Sequence, residues 1–249
     1  MTSLPNLKIV ATIEARMTSS RLPGKVLMPV LGAAMLQHLV TRLRAVPSID
    51  AIVLATTVNA ADEPLAEFAA AQGIACFRGS EDDVMQRVID AAESMQADIV
   101  VEITGDCPII DPQIIEQAIR MFKAHDAAYV GNAQIRSYPD GMDVQVFRLD
   151  TLKQSAALTA DPLDREHVTL HIRNHPEIFP HVHLVAPPEI HWPTLGLTLD
   201  EQADYELLKR IMGHFSDKPL FSCLEAVTLL RANPQWLAIN EDVRRKGDA

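Results

Sequence analysis

Short apolar runs alternate with helical patterns as far as residue 132, and this alternation constrains the fold more than any other feature of the chain. The runs expected to form buried strands are residues 8–13, 51–57, 74–79, 98–103 and 127–132. Apolar residues at helical spacing predict helices over residues 34–46, 62–71, 84–92 and 112–124. Strands that alternate with short helices form βαβ units, so we predict an α/β fold with a parallel sheet and helices on both faces.

The remainder of the chain has a less regular pattern. The strand candidates are residues 143–147, 181–185 and 195–200, and the expected helices are residues 164–174 and 201–212. No clean linker separates this part from the first. We therefore expect one domain over residues 1–249, with a first half at about 7–132 and a second half at about 133–249.

Composition disfavours several classes of protein. The chain has 22 Lys and Arg against 33 Asp and Glu, a formal net charge of −11, which disfavours binding to nucleic acid. No apolar run approaches the ~18 residues of a membrane span, so no membrane insertion is expected. The three cysteines form no Cys-x-x-Cys pair and the N-terminal residues lack a signal-peptide pattern. Reduced thiols and a cytoplasmic location are therefore expected.

Polar side chains follow three of the predicted strands at the point where each strand ends. They are Arg16, Ser20, Arg21 and Lys25 after the first strand, Ser80 after the third, and Thr104 and Asp106 after the fourth. In open parallel sheets, ligands bind in a crevice at the carboxyl ends of the strands. We therefore expect these side chains to face a common crevice.

The loop "EARMTSSRLPGKV" at residues 14–26 concentrates cations and hydroxyl groups. Such a loop at a strand end can bind a polyphosphate. It lacks the glycine spacing of a Walker A loop and that of the Rossmann fingerprint. A solvated basic turn is the alternative that the residues alone leave open.

Two aspartates are candidate ligands for Mg²⁺. Asp106 lies in "TGDCPIIDP" after a buried strand, and Asp200 lies in "LTLDEQADYELL" just before a predicted helix. Carboxylates of this kind hold the Mg²⁺ that triphosphate chemistry commonly uses. The alternatives are a turn residue at Asp106 and a helix N-cap at Asp200.

Several ordered segments resemble the sugar-acid cytidylyltransferases, the CMP-sugar synthetases of the 3-deoxy-manno-octulosonate and acylneuraminate type. The segments are "ARMTSSRLPGKVLMPVLGAAMLQHLVTRL", "EITGDCPIIDP", "YPDGMDVQVF", "DREHVTLHIRNHPEIF" and "LTLDEQADYELL". They cover nearly the whole chain, and the last three look like the branch usually named spore coat polysaccharide biosynthesis protein F. The resemblance implies a three-layer nucleotide-diphospho-sugar transferase fold with a mixed, mostly parallel sheet. It also implies Mg²⁺-dependent transfer of CMP from CTP to a sugar acid, with release of pyrophosphate, for surface polysaccharide biosynthesis.

The resemblance also implies roles for individual residues. The positions that hold the triphosphate match Arg16, Ser20, Arg21 and Lys25, and the metal-binding aspartates match Asp106 and Asp200. The base and ribose would be contacted from "SEDDVMQR", with Ser80 and Arg87 as candidates, and Thr104 would lie beside the nucleotide. The first half would thus bind the nucleotide, and the second half would hold the acceptor and a dimerisation arm.

The acceptor site is expected in two polar segments. The candidates are Tyr138, Asp140, Asp143, Arg165 and His167. Arg165 suits the carboxylate of the acceptor, although a surface ion pair is an equal alternative. The histidines at 167, 171 and 175 recur at helical spacing without the acidic neighbour of a zinc-protease motif, which disfavours a metal role.

One departure from the family pattern bears on the acceptor. Many relatives carry an Arg shortly before the strand that ends at the second aspartate, and here the approach is "IHWPTLGLTLD". Alternatives therefore stay open: another nucleoside triphosphate, a polyol acceptor that is not a sugar acid, or a catalytically inactive nucleotide-binding regulator. A homodimer is expected from the resemblance alone.

Overall fold

A seven-stranded mixed sheet forms the centre of the computed structural model, which describes residues 7–244. The strand order is β5-β4-β1-β6-β8-β7-β9. Only β8 runs against its neighbours, because it pairs antiparallel with both β6 and β7 while the other pairs are parallel. The predicted mixed, mostly parallel sheet is therefore confirmed. The predicted lack of a signal peptide falls partly on residues 1–6, which lie outside the described residues.

The first half follows the predicted alternation closely. Its strands are β1 (Ile9–Glu14), β2 (Pro29–Val30), β3 (Ala33–Ala34), β4 (Ala51–Thr57), β5 (Ala75–Gly79), β6 (Ile99–Thr104) and β7 (Tyr129–Gly131). Its helices are α1 (Met35–Arg44), α2 (Glu63–Gln72), α3 (Val84–Ser94) and α4 (Pro112–Ala124). The small hairpin of β2 and β3 was not predicted, since each strand has only two residues.

Local signals explain where several of these helices begin and end. The Asp111 carboxylate accepts the N–H of Gln113 at 2.8 Å, and Pro112 occupies the first helical position of α4. Helix α2 ends at Gly73, whose φ of 63° is the left-handed conformation that glycine adopts at little cost. These caps hold the strand-end loops at fixed distances from the sheet.

The second half departs from the prediction at several places. Its elements are β8 (Gln145–Arg148), α5 (Leu149–Leu158), α6 (Pro162–Glu166), α7 (Leu170–Asn174), β9 (His181–His183), α8 (Gln202–His214) and α9 (Cys223–Ala232). Helices α5 and α9 were not predicted. The single helix predicted over residues 164–174 is wrong, because Val168 adopts a φ of 45° and separates α6 from α7.

The strand predicted over residues 195–200 is also wrong. This segment makes one isolated bridge, between Gly196 and Asp140, and no ladder with the sheet. Its alternating apolar residues are nevertheless buried. They belong to the same apolar core as Ile9 and Ile13 of β1. The period-two pattern therefore indicates burial here and not strand pairing.

Two apolar cores cover the faces of the sheet. Ile9, Ala11 and Ile13 of β1 belong to the core that includes α1, α4, α8 and α9, whereas Val10 belongs to the core with α3 and α5. A strand buried on both faces reads as a continuous apolar run, which is why the sequence of β1 shows no alternation. Among the described residues, no helix has the length and apolar character needed to cross a bilayer.

Candidate functional site

The Lys25 ammonium lies between two carboxylates at the carboxyl edge of the sheet. Its Nζ donates to Asp106 Oδ2 at 2.9 Å and to Asp200 Oδ1 at 3.0 Å. Asp106 follows β6, and Asp200 precedes α8 in the second half. Arg21 joins them, with an amino group 2.8 Å from Asp200 Oδ1. We call Lys25, Asp106, Asp200 and Arg21 the lysine cluster.

The loop after β1 delivers Lys25 to this position. Gly24 adopts a φ of 71°, and its N–H donates to the Met17 carbonyl at 2.9 Å, which closes the loop. The buried Asp62 accepts the N–H of Met17 at 2.6 Å and also accepts from the Thr57 hydroxyl. Asp62 was not among the site residues predicted from the sequence. Because its carboxylate accepts the Met17 N–H, it holds the first part of the loop in place.

Mutual neutralisation sets the charge state of the cluster. Burial opposes the charge of Lys25, but the neighbouring Asp106 and Asp200 outweigh it and raise the pKa of the lysine. Burial likewise opposes the charge of Asp200, yet Lys25 and Arg21 lower the pKa of that carboxyl. The cluster therefore holds an ammonium and ionised Asp200 together at neutral pH.

Backbone contacts bring the two halves together at this point. The Leu199 N–H donates to the Asp106 carbonyl at 2.8 Å, and the Leu197 N–H donates to the Asp140 carbonyl at 2.8 Å. Asp106 and Asp200 are far apart in the sequence. They come together through the segment of residues 195–200, which was predicted to be a strand. The predicted triphosphate and metal residues Lys25, Asp106, Asp200 and Arg21 are brought together.

The remaining nucleotide candidates lie around this cluster with different partners. Arg16 lies 3.3 Å from Glu81, while Ser20 and Thr104 are exposed. Arg87 is only 3% exposed, and its guanidinium donates to the carbonyls of Ser80 and Glu81. Arg87 therefore holds the turn after β5 in shape.

Glu102 interacts with both Glu14 and Asp143, and we call these three carboxylates the acid cluster. Burial and the neighbouring Glu102 raise the pKa of Glu14 well above its usual range, and burial raises the pKa of Glu102. Burial and Asp140 raise the pKa of Asp143 to about 7. In the sequence, Glu14 directly follows the apolar run of residues 8–13, and Glu102 lies within the run of residues 98–103. These charged residues in or beside apolar runs were the available signal, but neither glutamate was predicted as a site residue.

The acceptor candidates do not form one group. Arg165 lies 2.5 Å from Asp83, and it also donates to the Ala156 carbonyl at 3.2 Å, so it joins α6 to α3 and α5. His167 is exposed at the end of α6, and Tyr138 is 5% exposed. Asp140 lies beside the lysine cluster, since the Thr198 hydroxyl is 3.4 Å from Asp140 Oδ2 and 3.2 Å from Asp200 Oδ2. Asp143 interacts electrostatically with Asp140.

Within residues 7–244, no group of three or more His, Cys, Asp or Glu side chains is arranged to hold a metal ion. Asp106 and Asp200 supply two carboxylates, which suits an ion such as Mg²⁺ that keeps water and binds substrate phosphates. The acid cluster suits a cation less, because its raised pKa values favour protonated carboxyls.

Comparison with known proteins identifies the family. A family model described as Cytidylyltransferase matches residues 10–221. The chain belongs to this family. It is 34% identical over 233 residues to Spore coat polysaccharide biosynthesis protein SpsF of Bacillus subtilis (strain 168), over 91% of this chain and 95% of that protein. It is 31% identical over 156 residues to the 3-deoxy-manno-octulosonate cytidylyltransferase of Geobacter metallireducens, over 61% of this chain and 60% of that protein.

A solved structure extends the likeness to the fold. The cytidylyltransferase from Leptospira borgpetersenii serovar Hardjo-bovis (strain JB197) superposes with a TM-score of 0.89 at 30% identity, over 96% of this chain and 100% of that one. The predicted resemblance to cytidylyltransferases is confirmed, as is the predicted enzyme class. In this cytidylyltransferase the lysine cluster lies within or directly beside the segments that suggested the family.

Proposed function

We propose that this cytidylyltransferase transfers CMP from CTP to a hydroxyl group of a sugar acid, with Mg²⁺, and releases pyrophosphate. The observation that carries the proposal is the Lys25 ammonium, held 2.9 Å from Asp106 Oδ2 and 3.0 Å from Asp200 Oδ1. A cation already occupies the space between two carboxylates, so the site is built for positive charge. The cations around it suit the negative charge of a triphosphate.

The residues of the lysine cluster then have distinct tasks. Asp106 and Asp200 would hold Mg²⁺, which when bound neutralises phosphate charge and polarises the phosphate under attack. Lys25 and Arg21 would bind the phosphate oxygens that leave as pyrophosphate, and Arg16 would do so from the loop edge. No side-chain nucleophile is required, because phosphoryl-type transfer depends on positioning and charge stabilisation.

In the reaction the acceptor oxygen bonds to the α-phosphorus as the bond to the β-phosphate oxygen breaks. The hydroxyl group gives up its proton to solvent, and the charge that develops on the leaving pyrophosphate faces Lys25 and Arg21. Removing one preorganised contact of this kind costs roughly 3–4 kcal/mol, or about 10²- to 10³-fold in rate.

The acceptor is proposed from the relatives and from the polar segments of the second half. One relative bears a name in spore coat polysaccharide biosynthesis, and another is named for 3-deoxy-manno-octulosonate. These names support a sugar acid used for a surface polysaccharide. Asp140 and Asp143 are the candidates that lie closest to the lysine cluster, so we place the acceptor hydroxyl groups on that side.

The test is pyrophosphate release from CTP and Mg²⁺ over a panel of acceptors: 2-keto-3-deoxy sugar acids, nonulosonic acids and polyol phosphates. UTP, ATP and GTP serve as nucleotide controls, and Asp106→Asn serves as the blank. Release with CTP and one sugar acid, abolished in Asp106→Asn, supports the proposal. Release only with another nucleotide or a polyol contradicts the stated substrates. Tight CTP binding without release for any acceptor favours a nucleotide-binding regulator.

We further propose that the protein is a homodimer through its second half. Exposed apolar side chains there include Ile178 and Val185, which are 43% and 56% exposed. Such side chains lose unfavourable contact with water when a partner covers them. Light scattering at micromolar concentration tests this, and the mass of a monomer would contradict it.

A further inference from the structure

Asp200 carries half of the proposed metal site, yet it lies on a segment without sheet pairing. Leu199 and Leu197 each donate one backbone hydrogen bond, to Asp106 and Asp140. A metal site of two carboxylates needs each of them held within a fraction of an ångström. Other contacts must therefore fix the backbone at residue 200.

The carboxylate of Asp204 supplies those contacts. Its Oδ2 accepts the N–H of Asp200 at 3.1 Å and the N–H of Glu201 at 2.9 Å. Asp204 is 0% exposed, so these bonds are shielded from competing water. Together they fix the backbone from which the Asp200 side chain projects.

A residue from the end of the chain fixes Asp204 in turn. Asn240 Nδ2 donates to Asp204 Oδ1 at 2.8 Å and to the Gly196 carbonyl at 3.1 Å. Asn240 is 9% exposed and directly follows a 3₁₀ helix over Pro234–Ile239. One amide group thus joins the C-terminal segment to both sides of the Asp200 loop.

Helix capping alone accounts for only part of this arrangement. In α8, Glu201 is the N-cap and Asp204 completes a capping box with it. A capping box requires neither the bond to the Asp200 N–H nor a donor from residue 240. The Asp204 carboxylate therefore caps α8 through its bond to the Glu201 N–H. Its bonds to the Asp200 N–H and to Asn240 hold the loop at Asp200.

We propose that Asp204 and Asn240 are positioning residues for Asp200, which set the affinity of this site for a divalent cation. This inference rests on the proposed function, since it assigns the cation to Asp106 and Asp200. Residues that hold a metal ligand from behind typically change metal affinity by about 10- to 100-fold when they are replaced. Both residues are buried, and they are connected to Asp200 through hydrogen bonds to its backbone and to each other.

The test measures Mn²⁺ binding by electron paramagnetic resonance in the presence of CTP, for the full chain. Asn240→Ala should raise the Mn²⁺ dissociation constant about tenfold, while CTP affinity without metal stays unchanged. The matched control is Asn233→Ala, because Asn233 also donates from its side chain to a carbonyl, that of Leu229 at 2.9 Å, without touching the site. Its Mn²⁺ constant should equal that of the unmodified protein.

A fold control separates positioning from stability. Asn240→Asp keeps the size of the side chain but cannot donate to Asp204, so its Mn²⁺ affinity should fall at least as far as that of Asn240→Ala. All variants are compared below the lowest unfolding temperature of the set. Equal Mn²⁺ constants for the Asn240 and Asn233 variants would overturn the positioning role alone. Failure of the unmodified protein to bind Mn²⁺ with CTP would overturn the proposed function as well.

Discussion

The lysine cluster and the acid cluster are both built from carboxylates, and they differ in what surrounds them. In the lysine cluster, Lys25 lies against Asp106 and Asp200, so the pKa of Asp200 is lowered. In the acid cluster, burial dominates, and the pKa values of Glu14 and Asp143 are raised. Carboxylates that lie close together therefore do not by themselves form a cation site. At neutral pH the lysine cluster presents an ionised Asp200, whereas burial opposes ionisation in the acid cluster.

The largest effect should come from removing the cation of the lysine cluster. Lys25→Met should lower kcat for pyrophosphate release about 10³-fold, because Lys25 would stabilise charge on the leaving pyrophosphate. Steady-state kinetics with saturating CTP and acceptor measure this. The control is Lys123→Met, since Lys123 is exposed on α4, away from the cluster. A kcat within threefold of the control would show that Lys25 is only a structural counterion.

The next effect separates the two clusters by the sign of their pH dependence. Asp143 has a folded pKa of about 7, against ~3.9 when unfolded. Its protonated form favours the folded state below pH 4, and that contribution is lost as the pH rises from 4 to 7. The difference between the two pKa values corresponds to roughly 4 kcal/mol. Asn cannot ionise, so the free energy of unfolding of Asp143→Asn, relative to that of the unmodified protein, should rise by up to about this amount between pH 4 and pH 8.

Urea unfolding across this pH range measures the change, with Asp200→Asn as the opposite case. The pKa of Asp200 is lowered in the folded state, so its ionised form stabilises the protein above its unfolded pKa. That contribution is lost as the pH falls through the folded pKa, and Asp200→Asn should remove this acid-side loss. The same pH dependence in both variants would contradict the distinction between the clusters.

A smaller effect is expected at Arg165, a candidate acceptor ligand for which the sequence left a surface ion pair as an equal alternative. Its guanidinium is 2.5 Å from Asp83 and also bonds the Ala156 carbonyl. Arg165→Gln should therefore lower the free energy of unfolding by about 1 kcal/mol and leave the acceptor KM unchanged. Chemical denaturation and acceptor titration measure the two quantities. A rise of tenfold or more in acceptor KM with intact stability would restore the original interpretation.

The smallest effect is expected from a replacement in the acid cluster that leaves the lysine cluster intact. Glu102→Gln removes a carboxyl of the acid cluster but keeps its size, so the Mg²⁺ concentration for half-maximal activity should change less than about twofold. Titration of activity with Mg²⁺ checks this, alongside the same titration for Asp200→Asn. A shift in Glu102→Gln as large as that in Asp200→Asn would place the metal in the acid cluster.

The lysine cluster was predictable from sequence for a definite physical reason. The carboxyl ends of parallel strands meet at one edge, so Lys25 and Asp106 were expected together once β1 and β6 were recognised. Asp200 was a candidate from its place before a predicted helix, with a helix N-cap as the alternative, and the resemblance matched it to a metal-binding aspartate. The prediction of a strand over residues 195–200 was wrong. In the structure, that segment reaches the site through bonds to the Asp106 and Asp140 carbonyls.

The acid cluster and the second half were harder to predict because they depend on tertiary contacts. Glu14 and Glu102 meet through the pairing of β1 with β6, which no local pattern encodes. The helix over residues 164–174 breaks at Val168, although Val168 and Ile172 are both buried as the helical spacing suggested. For residues 164–174 the sequence pattern therefore predicted the buried side chains correctly, but it did not predict the break in the helical backbone.

We propose that Asp106 and Asp200 hold one metal ion together with CTP. Calorimetric CTP binding with and without Mg²⁺ tests this in the unmodified protein, Asp106→Asn, Asp200→Asn and the double variant. Mg²⁺ should tighten CTP binding, each single replacement should remove most of this gain, and the double variant should lose little more. Undiminished Mg²⁺ dependence in the single variants, or losses that simply add, would contradict the shared ion.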